Sequence, residues 1–298
     1  MKSICFTFTL VLITLFAHPD GVLAQGPPIN TDTPILLGLE GKSVMLRAVV
    51  VSKSQLYRDG SEISDPLNRS VVATIVPMVI PYNISNDLLV GVVAPLLNVN
   101  SKSVAGSVSS TGLSDIALFA KHLLVQVDGL QETFRVIGKA SIKLPTGNKS
   151  GTPPLGTGSW DFSVGSTAAW IGNRLGVYGD VSYAFNGSLE GYSYGNVLSY
   201  NAAIAFRLSP AVYETYPAVQ WNLYLEVLGK YAARDVSNGV TNEHSGGNRV
   251  LLAPGIQFIP SRYFLFETSL QIPIYQKLNG TQLGTSLIAL LGVRVLFF

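Results

Sequence analysis

GTSLIALLGVRVLFF, the stretch from Gly284 to Phe298, decides the fold. On a period of two, Leu287, Ala289, Leu291, Val293, Val295 and Phe297 share one face, while Ile288, Leu290, Gly292, Arg294 and Leu296 share the other. One face is apolar throughout and the other carries a single charge. A long apolar strand left as an open sheet edge recruits partners and aggregates. Pairing it with the first strand of a closed barrel in a bilayer removes that edge. The pattern predicts an all-β fold, a transmembrane antiparallel β-barrel. This stretch is its closing stave, paired back to the segment near Met45–Leu56.

Composition points the same way. Of 298 residues only 13% are charged, about half the usual share near 25%, while 47% are apolar. After the N-terminus no run of about 18 apolar residues occurs, which argues against membrane helices. Alternating strands of about ten residues reconcile the two facts. Residues 1–24 have the parts of a secretory signal peptide: Lys2, an apolar run from Ile4 to Phe16, and small residues around Val22-Leu23-Ala24. A mature start at Gln25 leaves the lone Cys5 behind, which excludes disulfides, cysteine nucleophiles and zinc–thiolate sites. The net charge of +2 is too small for a nucleic-acid footprint. Residues 25–41, rich in proline and small polar residues, read as a flexible periplasmic lead-in, and residues 42–298 as the barrel.

Alternating segments begin near residues 44, 70, 87, 113, 132, 158, 175, 196, 218, 249, 263 and 284, which makes about 12 strands. Long connections such as Arg58–Arg69, Asn98–Gly112, Thr146–Gly158 and Asp235–Asn248 alternate with short ones such as Asn83–Asn86, Asn173–Arg174 and Pro260–Arg262. Long outside loops and short periplasmic turns are the habit of outer-membrane barrels. The connection Ser209–Pro217 is longer than a periplasmic turn needs and has no assigned role. From Tyr263 to Gln276, Phe264, Phe266, Thr268, Leu270, Ile272 and Ile274 are expected to face lipid, with Glu267, Ser269, Gln271 and Tyr275 inward. A basic side chain at mid-membrane on the lipid face costs roughly 2–4 kcal/mol, which fixes the phase elsewhere. Trp160, Trp170, Trp221, Phe258, Phe264 and Phe266 near strand ends read as interfacial girdles.

Several motifs in a fixed order carry a family resemblance. They are Gly112-Leu113-Ser114-Asp115, Lys143-Leu144-Pro145-Thr146-Gly147, Leu155-Gly156-Thr157-Gly158-Ser159-Trp160-Asp161, Leu252-Ala253-Pro254-Gly255-Ile256-Gln257 and Gln271-Ile272-Pro273-Ile274-Tyr275-Gln276. The series resembles the outer-membrane transporter family named for the MetA pathway of phenol degradation, most strongly from residue 112 onward. The resemblance implies an outer-membrane barrel of a Gram-negative bacterium that moves small hydrophobic or aromatic compounds. It brings no catalytic or binding residues to this chain. It also makes the terminal aromatic an address for the barrel-assembly machinery, with Val295, Phe297 and Phe298 as the insertion signal.

No chemistry-bearing constellation competes with the lumen. His122 points outward near a strand end, and His244 lies in a loop beside Glu243 and Ser245, so neither supports a hydrolase. No metal cluster, phosphate loop or cofactor site is read, nor an N-terminal plug domain. The selectivity candidates are instead the inward charges Lys121, Arg135, Lys139, Lys143, Asp161, Asp180, Glu226, Lys230, Glu267 and Arg294, joined by Asp115 and Arg207. The loop between KLPTG and GTGSWD, stiffened by Pro145, Pro153 and Pro154, reads first as turn chemistry and second as a constriction over the mouth. The expected function is a passive channel for small hydrophobic or aromatic compounds, not an enzyme. The alternative is a structural or adhesive barrel with a filled lumen and no transport. The expected partners are the outer-membrane bilayer, the barrel-assembly machinery and small-molecule solutes.

Overall fold

The computed structural model describes residues 26–38, 41–214 and 217–297. Its long strands are β1 (Lys42–Arg58), β2 (Ser70–Asn83), β3 (Leu88–Ser103), β4 (Ala117–Asp128), β5 (Thr133–Lys143) and β6 (Asp161–Ile171). They continue as β7 (Leu175–Phe185), β8 (Val197–Ser209), β9 (Gln220–Ala232), β10 (Gly247–Ser261), β11 (Phe264–Leu278) and β12 (Thr281–Phe297). Each pairs antiparallel with the next, and β12 pairs back to β1, so the 12 strands close into a barrel. The closing seam runs from Lys42 opposite Phe297, through Met45 opposite Arg294, to Arg58 opposite Thr281. The proposed signal residues 1–24 and Phe298 lie outside the described residues.

The period of two is plain in β9. Gln220, Asn222, Tyr224 and Glu226 are buried, while Trp221, Leu223, Leu225 and Val227 are exposed on the outer surface. An outer row of exposed apolar side chains is the surface that a bilayer solvates. At the end of the barrel where β10 turns into β11, Trp221 stacks on Phe258 with ring centroids 4.3 Å apart, and Phe258 and Phe264 both stack on Phe266. That is a girdle built across neighbouring strands. The face expected for Tyr275 is corrected. A ladder irregularity opposite Val250 and Leu251 interrupts β11 between Pro273 and Tyr275, leaving Tyr275 exposed and turning Gln276 into a lumen cavity.

Two connections differ from expectation. Asn98–Gly112 is no irregular loop: β3 continues to Ser103, and Gly106–Leu113 pairs with it from Ser103 opposite Gly106 to Leu96 opposite Leu113. Serine and glycine hid this extension because they lower β-propensity without preventing pairing. The Ser209–Pro217 connection places the Tyr213 ring 4.3 Å from the Arg207 guanidinium, and the Tyr213 hydroxyl donates to Gln220. Its extra length thus brings an aromatic ring onto a buried inward arginine.

The largest departure concerns the expected lead-in. Residues 26–38 lie inside the barrel, with Ile29, Thr31, Pro34 and Leu36 buried. The Tyr224 hydroxyl donates to the Gly26 carbonyl at 2.9 Å, and Gln257 Nε2 donates to the Pro27 carbonyl at 3.1 Å. Backbone polar groups away from solvent need partners, and inward polar side chains on β9 to β11 supply them where a neighbouring strand would otherwise do so. This segment has little regular hydrogen bonding of its own, which is why its composition resembled a linker.

Candidate functional site

The lumen is the concave feature into which the barrel directs its charge, and the N-terminal segment organises it. At its centre lies Glu226, fully buried on β9. Its carboxylate accepts the backbone N–H of Ile29 at 3.2 Å and that of Asn30 at 3.0 Å, as well as the N–H of Thr31 and the Asn30 side-chain amide. A carboxylate surrounded by N–H donors is a strong anchor, because charge-assisted hydrogen bonds are worth about 1.5–3 kcal/mol each. Asn30 also bonds Ser269 and accepts from Gln271 Nε2 at 2.8 Å. The tip of the segment is thereby fixed to β9 and β11.

Asp32 then reaches across to the opposite wall. It forms ion pairs with Lys121 of β4 and Lys139 of β5, the latter at 3.1 Å. Lys139 also pairs with Asp180 of β7, which accepts from Thr167 at 2.8 Å and Asn201 at 3.1 Å. Asp32, Lys121 and Lys139 line two cavities. One, of about 370 Å³, lies between the segment and the wall of β1 to β4; the other, of about 310 Å³, extends along β4 to β7. Met45, Val79, Pro81, Leu89 and Phe119 face the first cavity, opposite Ile35 and Leu37 of the segment. The lumen wall on this side is therefore substantially apolar. That explains why SVVATIVPMVIPYN and LLVGVVAPLLNVN show weak alternation: both faces of those strands are apolar.

Toward the end of the barrel that carries the loop of residues 144–160, Asp115 sits in the short break between Leu113 and Ala117. Its carboxylate accepts the Gly147 N–H and the Thr157 N–H, each at 2.9 Å, and pairs with Lys143 Nζ at 2.7 Å. Lys143 also pairs with Asp161 at 2.9 Å. The GLSD, KLPTG and GTGSWD motifs thus converge on one buried charge cluster. Glycine is needed at two of these positions: a Cβ on Gly156 would lie 2.4 Å from Asp115 Oδ1, and one on Gly147 would lie 2.9 Å from the Gly156 Cα. Ser114 Oγ donates to the Leu155 carbonyl, holding the loop of residues 144–160 against the β3 extension. Turn chemistry accounts for its glycines only in part, because Asp115 fixes the loop through tertiary bonds.

The ten sequence-derived charge candidates separate into groups. Lys121 and Lys139 meet Asp32, with Asp180 joined through Lys139; Lys143 meets both Asp115 and Asp161; Glu226 holds the segment. Glu267 pairs with Arg47 of β1 at 2.7 Å, and Arg294 lines the first cavity with a contact to Met45 Sδ at 3.4 Å. Arg135 stands apart near the β4–β5 turn, 3.7 Å from Asp128. Lys230 lines a separate cavity near the ends of β9 and β11. Sequence reasoning missed Asp32 and Arg47, which sit in the segment read as a linker and in a strand of weak alternation. His122 is exposed, with Nδ1 3.1 Å from the Asp87 carbonyl, and His244 Nδ1 accepts the Thr281 N–H at 2.9 Å.

Among solved structures, the COG4313 outer membrane channel from Pseudomonas putida F1 is similar with a TM-score of 0.68 at 12% identity, covering 92% of this chain and 100% of that one. That likeness shows the fold, an outer-membrane-type barrel. The beta domain of the Bordetella autotransporter BrkA has a TM-score of 0.48 at 9% identity, covering 87% and 100% of the two chains. The CymD monoaromatic hydrocarbon channel has a TM-score of 0.43 at 10% identity, covering 87% and 89%. No curated protein matches the chain. The sequence profile of the family described by the MetA-pathway of phenol degradation matches residues 78–272, more than half of the chain. The chain belongs to that family.

Proposed function

We propose that the protein is a passive outer-membrane channel for small hydrophobic or aromatic compounds in a Gram-negative bacterium. The observation that carries this reading is the cavity between the apolar wall of β1 to β4 and the N-terminal segment, where apolar and charged side chains face one another. An apolar solute gains by leaving water for such a wall, in proportion to the area it buries. The Asp32 bridge to Lys121 and Lys139 is then the constriction that a solute passes. Selectivity falls to the lumen charges around it: Lys143 and Asp161 toward the mouth, and Asp180, Glu226, Glu267 and Arg294 nearer the segment. Family membership and the channel named in the similar structure support the reading.

A second reading has an observation of its own. The segment of residues 26–38 occupies the lumen through many hydrogen bonds, as a filled structural or adhesive barrel would require. Liposome swelling separates the two. On the channel reading, proteoliposomes swell faster than empty liposomes in phenol or toluate, and less markedly in a sugar of similar size. Equal swelling of both liposome types in every solute sinks the channel and leaves the filled barrel.

A further inference from the structure

Most lumen lysines described above have a carboxylate: Lys121 and Lys139 have Asp32, and Lys143 has Asp115 and Asp161. The extracellular end of the lumen on the other wall is different. Lys230 of β9 stands opposite Arg249 of β10, Arg249 opposite Gln276 of β11, and Lys53 of β1 opposite Thr285 of β12. Gln276 Oε1 accepts the Thr285 N–H at 2.8 Å, and Arg249 Nη1 donates to Thr285 Oγ1 at 2.9 Å. These residues form one row across five neighbouring strands and line a cavity of about 210 Å³. Among the described residues, none of Lys53, Lys230 and Arg249 takes part in an ion pair.

Like charges directly opposite on neighbouring strands are unfavourable, and low-dielectric walls concentrate their field in the cavity. We propose that Lys53, Lys230 and Arg249 form an anion-binding subsite at the extracellular mouth that takes the carboxylate of a small organic acid. Arg249 offers a planar fork of donors suited to a carboxylate, and the two ammonium groups flank it. Gln276 and Thr285 are neutral and leave the cavity's charge positive. The role as an entry subsite rests on the channel reading; binding of the anion does not.

Ligand-observed NMR on the full chain in detergent micelles tests the subsite, with benzoate as probe, benzyl alcohol as the uncharged control and sulfate as competitor. The expected result is saturable broadening of benzoate and not of benzyl alcohol, with displacement by sulfate. The triple substitution Lys53→Gln, Lys230→Gln, Arg249→Gln should weaken benzoate about tenfold or more. Heat-modifiable migration on gels verifies that the variant barrel is folded; should it not be, Lys230→Gln alone is read in its place. Equal broadening of benzoate and benzyl alcohol overturns the proposal, as does unsaturable benzoate broadening or native affinity in the variant. Sulfate binding without benzoate binding overturns the carboxylate assignment. Benzoate binding without liposome swelling removes the channel reading and leaves the subsite, and the reverse outcome removes the subsite alone.

Discussion

The Asn30 backbone N–H donates to the Glu226 carboxylate at 3.0 Å across a separation of 196 residues. Because Ile29 and Thr31 donate to the same group, one buried side chain holds three consecutive amides of the N-terminal segment. Glu226→Gln keeps the shape but removes the charge and turns an amide donor toward other donors. Protection of amides 29–31 in hydrogen exchange should fall by an order of magnitude or more, since each charge-assisted bond is worth about 1.5–3 kcal/mol. Native protection in a folded variant would mean that packing of Ile29 and Leu36 holds the segment instead.

Lys139 joins the segment to the wall, pairing with Asp32 and with Asp180. Substituting Lys139→Gln should leave Asp32 with Lys121 alone and Asp180 with only the neutral donors Thr167 and Asn201. In planar bilayers, the reversal potential in a salt gradient is expected to shift toward cations, with Lys143→Gln acting in the same direction nearer the mouth. Glu226→Gln and Glu267→Gln should shift it toward anions. Unchanged conductance and ion preference in all four would show that these charges rigidify the barrel without selecting among ions.

What was legible followed from the period of two. Arg135, Lys139 and Lys143 share one strand face, and placing them in lipid is costly enough to fix the phase of β5 without a structure. All the long strands, and the return of β12 to β1, were read in that way. The N-terminal segment was not, because nothing local distinguishes a proline-rich linker from a proline-rich chain seated in a lumen. Its partners, Glu226 and Lys139, are far away in sequence, and only the closed barrel brings them to Asn30 and Asp32. Tyr275 departs from the alternation because a single irregularity in β11 beside Pro273 inverts it, and a proline, which cannot donate to the ladder and is at home at a bulge, is its one local signal.

Asp115 gathers the motifs around the extracellular loop, and its removal should be felt there before anywhere else. Asp115→Asn loses the charge facing Lys143 and exposes the Gly147 and Thr157 N–H groups to weaker acceptance. Limited proteolysis should then cut between residues 144 and 160 several-fold faster while the strands stay resistant. Gly156→Ala should give the same result by steric means, since its Cβ would fall 2.4 Å from Asp115 Oδ1. Unaltered cleavage in both variants would place the loop's stability in its contacts with the β3 extension.

Phe297 lies opposite Lys42 on the closing seam, with its side chain half exposed on the outer face. Deleting Phe297 and Phe298 removes the last rung of a long ladder, a small loss to a seam that runs back to Arg58 and Thr281. Phe297→Ser keeps the backbone rung and removes only the aromatic ring, which separates closure from recognition by the assembly machinery. If Val295, Phe297 and Phe298 form an insertion signal, both variants should accumulate less in the outer-membrane fraction and more as unfolded, heat-unmodifiable protein. The purified chains should nevertheless refold in detergent about as well as the parent. Normal insertion of both variants in cells would remove the signal role and leave Phe297 as a girdle residue on the closing strand.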